Sequence, residues 1–76
     1  MADDDRNLEL YKRYVRVMLS TLNTVSESCR QLQKPIPYEV EVKKHYFDLA
    51  EKQLEHNNLA ACRAMLTEMK SFLKEN

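Results

Sequence analysis

Residues 8–32 read LELYKRYVRVMLSTLNTVSESCRQL, and one spacing inside that stretch decides the fold. Leu8, Tyr11, Val15, Met18, Leu22, Val25, Cys29 and Leu32 follow one another in alternating steps of three and four. All of these positions are apolar, which is the a/d spacing of a helix that packs lengthwise against other helices. The spacing predicts one long helix over residues 5–33. Asp3, Asp4 and Asp5 stand at its start, where a carboxylate can accept hydrogen bonds from the free N–H groups of the first turn and meet the positive end of the helix dipole.

Beyond this stretch, Lys34-Pro35-Ile36-Pro37 ends the helix, since each proline lacks an N–H and turns its predecessor away from the α conformation. After that corner, Val42, Tyr46, Phe47, Ala50 and Leu54 share one arc of a second helix, predicted over 38–56. Glu41, Lys44, Asp48, Glu51, Lys52 and Glu55 share the opposite arc. Glu39 with Lys43 adds an opposite-charge pair four residues apart. Asn57-Asn58 breaks the pattern, and either side chain can cap a third helix over 58–74. That helix would bury Leu59, Cys62, Met65, Leu66, Met69, Phe72 and Leu73. So short a break makes helices two and three an antiparallel hairpin. The expected fold is therefore all-α: a small three-helix up-down-up bundle, one domain over 1–76, with a long first helix and a C-terminal hairpin.

Composition narrows the function. The chain has 76 residues and no glycine, so the phosphate-cradling loops of Walker-A and dinucleotide-binding type are excluded. Twelve basic residues balance twelve acidic ones, which leaves no domain-wide positive field for nucleic acid or an anionic membrane. The longest aliphatic run, Val17-Met18-Leu19, is far short of the ~18 residues a membrane span needs. An acidic start with no following apolar stretch reads as no export signal, and two cysteines thirty-three residues apart read as free thiols in a cytoplasmic, reducing setting.

Chemistry-bearing residues are few. Cys29 and Cys62 fall on apolar faces, without a histidine one turn away to stabilise a thiolate. Cys29, His45, His56 and Cys62 match no zinc-ligand spacing, and His45 and His56 read as surface residues. Asp48, Glu51 and Glu55 read as a solvated face, because the Glu-x-x-His pattern of a diiron site is missing. Ser20, Ser26, Ser28 and Ser71 have neither an adjacent base nor an oxyanion loop. The expectation is a protein that is not an enzyme and has no cofactor and no metal.

Helix lengths point to an interface instead. At 1.5 Å per residue the first helix is roughly 42 Å long and the others about 25 to 29 Å, so a hairpin returning from the proline corner reaches back only to about Val15. Leu8, Leu10, Tyr11 and Tyr14 are then uncovered, unless the hairpin is displaced toward the N-terminus. Exposed contiguous apolar surface usually marks an interaction site. Between Tyr14 and Leu19 only Arg16 is polar, so Val17 and Leu19 want contacts off the seam as well. The expected partner surface is Leu8, Leu10, Tyr11, Tyr14, Val17 and Leu19, and the expected function is a protein-protein interaction module: an adaptor, chaperone-like subunit or inhibitor, as a dimer or other homo-oligomer or bound to a different protein. The alternative is a nucleic-acid-associated regulator that grips phosphates with Lys12, Arg13 and Arg16 beside Tyr11 and Tyr14.

Two local resemblances accompany this reading. Leu10-Tyr11-Lys12 resembles, in two of its three positions, the Leu-Tyr-Arg tripeptide of the small helical LYR-motif adaptors of mitochondria. The hairpin from Tyr46 to Phe72 is similar in spacing to one tetratricopeptide helix pair without its glycine and small residues. Neither transfers a functional residue to this chain.

Overall fold

A computed structural model describes the backbone from Ala2 to Glu75 and the side chains from Arg6 to Lys74. Three helices follow in order, α1 (Ala2–Gln31), α2 (Tyr38–Glu55) and α3 (Leu59–Glu75). The fold is an all-α three-helix bundle with α2 at its centre: α1 packs on α2, α3 packs on α2, and α1 and α3 barely meet. The outline measures 48 × 26 × 15 Å, its long dimension set by the thirty residues of α1. None of the helices is long and apolar enough to cross a membrane among the described residues.

α1 begins at Ala2, earlier than the seam alone indicates, so Asp3, Asp4 and Asp5 belong to its first turns. Their side chains, and the cap read for them, lie outside the described residues. At its other end the Lys34 N–H donates to the Cys29 carbonyl at 2.8 Å and the Gln33 N–H to the Arg30 carbonyl at 3.1 Å. This paired closure needs a left-handed residue, and Gln33 supplies it at φ 56°. α2 ends the same way, with Asn58 N–H to the Gln53 carbonyl, Asn57 N–H to the Leu54 carbonyl, and Asn57 at φ 57°. Among the described residues, a chain without glycine thus holds two left-handed positions with side chains on them. Asn tolerates that conformation better than Gln. Gln33→Gly should therefore stabilise the fold by about 1 kcal/mol, and Asn57→Gly by less. Thermal melts check this, with a rise of roughly 4–8 °C expected for Gln33→Gly.

α3 starts on a side-chain cap, Asn58 Oδ1 accepting from the Ala61 N–H at 3.1 Å. Asn58→Ala should cost about 1 kcal/mol in a urea melt while leaving the other helix ends unchanged.

The core takes residues from all three helices: Val15 and Leu22 from α1, Phe47, Ala50 and Leu54 from α2, and Cys62, Leu66 and Met69 from α3. Phe47 is the largest side chain buried completely. The eight-residue seam of α1 holds only in part. Val25 and Leu32 are 37% and 66% exposed, and Ser26 is the buried residue at 3%. A straight helix turns 3.6 residues per turn, so a strict three-four alternation drifts by about 20° per heptad. By the third heptad, Val25 has rotated off the core and Ser26 has rotated onto it. Ser26 tolerates the position because its hydroxyl donates to the Leu22 carbonyl one turn back, at 2.9 Å.

Candidate interaction surface

The uncovered end read from helix lengths is corrected by the structure. Leu8 and Tyr11 are half-buried and pack against the core, as do Met18 and Leu19. α2 does not provide the whole cover: side chains of α3, Arg63 first among them, reach the N-terminal half of α1. The Arg63 guanidinium lies over the Tyr11 ring, 5.5 Å from its centroid. A cation on an aromatic face is attracted by the ring quadrupole, which ties α3 to the N-terminal half of α1.

Of the six residues expected to form the surface, Leu8, Tyr11 and Leu19 thus serve the fold. Leu10, Tyr14 and Val17 are 52%, 43% and 57% exposed. Tyr14 is anchored all the same, its ring tilted against Phe47 with centroids 5.7 Å apart. Val25 and Leu32 join these three on one flank of α1. At about 100° per residue, Leu10, Tyr14, Val17, Thr21, Val25, Ser28 and Leu32 fall within an arc of about 80°, centred about 120° around the helix from Val15. The stripe is about 33 Å long at 1.5 Å per residue. Sequence reasoning misses its C-terminal half because the three-four spacing assigns Val25 and Leu32 to the seam.

The two polar members do not interrupt it in the same way. The Thr21 hydroxyl donates to the Val17 carbonyl at 3.0 Å, which satisfies it within the helix and leaves its methyl for contact. Ser28 is small and exposed. At the N-terminal end the stripe widens into a groove of about 460 Å³ between α1 and α3, lined by Leu10, Tyr11 and Tyr14 on one wall and Arg63, Leu66 and Met69 on the other, with Lys70 at the edge.

The three cations of the alternative reading separate around the helix. Lys12 is half-buried and pairs with Glu9 at 3.8 Å. Lys12 and Arg16 line one small crevice with Glu51 and Glu55, whereas Arg13 is exposed on another side. Two carboxylates in that crevice oppose a phosphate there.

Both cysteines are free, Cys29 half-buried and Cys62 fully buried. Burial pushes the Cys62 thiol above its ordinary value, against a smaller opposing effect of Arg63. Since the thiolate is the reactive form, Cys62 should resist alkylation near neutral pH until the chain unfolds. Iodoacetamide labelling followed by mass spectrometry should find Cys29 modified first, and Cys62 only in urea. His45 and His56 are exposed, and no group of three His, Cys, Asp or Glu able to hold a metal occurs among the described residues. The Tyr46 hydroxyl donates to Glu68 at 3.3 Å across the hairpin; burial and then the Glu68 charge raise its phenol above the ordinary tyrosine value.

No family model, curated protein or solved structure matches this chain.

Proposed function

We propose that this chain is a protein-protein interaction module, an adaptor, chaperone-like subunit or inhibitor of the reducing cytoplasm, that binds through the outward stripe of α1. The observation that carries the reading is the run of exposed large apolar side chains Leu10, Tyr14, Val17, Val25 and Leu32 on one flank of a single helix. Single exposed apolar residues are ordinary, but a contiguous patch on a soluble surface marks an interaction site. Tyr is among the residues that most often anchor such interfaces, and Tyr14 is held in place by Phe47 before any partner arrives.

The test is a double substitution, Leu10→Ser with Val17→Ser, used as bait beside the wild-type chain in affinity capture from its source cells. Proteins retained by the wild type should be lost from the variant, with helical circular dichroism unchanged. Identical retention by both baits would sink the proposal. Substituting Leu8 and Tyr11 instead should weaken the fold, since these two pack on the core.

A further inference from the structure

We infer that the groove between α1 and α3 takes an acidic amphipathic helix of a different protein, its apolar stripe against α1 and its carboxylates against α3. The inference rests on the α1 stripe being a binding surface and adds the chemistry of what binds there.

Charge is the first argument. Arg63, Thr67, Lys70 and Lys74 follow one another in steps of four, three and four. At about 100° per residue they share an arc of about 60°, centred about 110° around α3 from the buried Cys62. Arg63 and Lys70 stand on the α3 side of the groove, Leu10 and Tyr14 on the α1 side, and no carboxylate lines it. Arg63, Lys70 and Lys74 have no acidic partner among the described residues. Glu68 of α3 lies around the helix from them, bonded to Tyr46 of α2. Glu27, Asp48 and Glu51 gather between α1 and α2, in a separate groove with Arg16. A chain whose charges balance overall thus keeps one basic wall without carboxylates, and an acidic partner is the complement of that wall.

Shape is the second argument. α1 and α3 both pack on α2 and barely meet, so their common face has two helical walls, and no α2 residue lines the groove between them. A rod about 10–12 Å across laid along it touches both walls, as a fourth helix completes a bundle. Leu10, Tyr14 and Val17 recur in helical steps, which suits the ridges of a helix lying beside them. Among its described residues the chain is helical and offers no sheet edge to an extended segment, whose backbone groups would lie unpaired on apolar surface. A helix carries its own backbone hydrogen bonds. Nucleic acid would use the cations and leave the apolar wall bare, and so few phosphate contacts give little affinity.

Selection of a randomised helical peptide library, about four turns long and displayed on phage, against the full chain reads the chemistry of the occupant. The retained peptides should carry apolar residues three and four apart, with Asp or Glu enriched beside that stripe. The best of them, synthesised with a fluorescein label, should bind Lys70→Glu roughly threefold to tenfold more weakly than wild type by anisotropy. Lys52→Glu makes the same change in net charge at an exposed position away from the groove, and should leave the Kd unchanged. The same peptide with its acids replaced by Lys should bind wild type more weakly and regain affinity for Lys70→Glu. Circular dichroism of both variants should match the wild type.

Retained peptides without acidic enrichment, a Kd that Lys70→Glu does not move, or no retained peptide at all overturns the acidic helix. So does a labelled single-stranded DNA that binds more tightly than the peptides and is weakened by Lys70→Glu. The capture experiment separates these failures from the broader reading. Proteins lost by the Leu10→Ser, Val17→Ser bait but kept by a Lys70→Glu bait would leave the stripe as a surface for a partner of other chemistry. Identical retention by all baits would remove both.

Discussion

Phe47→Ala is expected to leave this chain unfolded at 25 °C. Phe47 is 1% exposed, lies on the central helix, and packs its ring against Tyr14 of α1. Truncating a buried phenylalanine costs about 3–5 kcal/mol, through lost transfer energy and the cavity left behind. A chain of this size has a stability of about 3–5 kcal/mol to lose, so the two quantities meet. The far-ultraviolet circular dichroism should fall most of the way to that of a disordered chain, and the cooperative urea transition should disappear. Phe47→Leu, which keeps most of the volume, should retain a transition at lower urea. Tyr38→Ala, on the exposed first turn of the same helix, should move the midpoint far less. A Phe47→Ala chain that melted beside the wild type would mean that α1 and α3 are not held together through α2.

The parts of the structure written in local signals are legible in the sequence. Helix α2 and the cap of α3 follow from apolar spacing, Pro35, Pro37 and Asn58, each acting over four residues or fewer. The face of α1 is legible only for its first half. Over one helix, periods of 3.5 and 3.6 diverge slowly, and at the third heptad the choice falls between Val25 and Ser26. Valine reads as core and serine as surface by composition alone. The 3.6-residue turn rotates Ser26 inward, and a hydrogen bond from Ser26 back to Leu22, which a pattern of apolar letters does not contain, lets it stay there. The reach of the hairpin escapes the sequence for a related reason. Counting helix lengths ignores the long side chain of Arg63, which reaches across from α3 to cover Tyr11. With Val25 and Leu32 assigned to the seam, the stripe on the neighbouring flank has half its length.

The exchange of Val25 and Ser26 makes the second large prediction, in which two adjacent positions respond in the order opposite to their letters. Ser26→Asp is expected to cost several kcal/mol near neutral pH, enough to unfold most of the population. The carboxylate would sit at a position 3% exposed, facing the Leu22 carbonyl that now accepts the serine proton. Val25→Asp replaces a residue already 37% exposed and should cost about 1 kcal/mol, leaving the helices intact while removing one apolar contact from the stripe. The two variants should also separate in pH. In Ser26→Asp, burial raises the folded-state pKa of the introduced, unpaired carboxyl above its unfolded value of about 3.9, so the folded chain binds the extra proton more tightly. Its penalty is then small below that unfolded value and grows as pH rises, until the folded group ionises as well. Relative to wild type at each pH, Ser26→Asp should therefore recover between pH 7 and pH 4 in urea melts, and Val25→Asp should not. If instead Val25→Asp unfolds the chain and Ser26→Asp does not, α1 follows the 3.5-residue seam after all, and the surface proposed for a partner loses its C-terminal half.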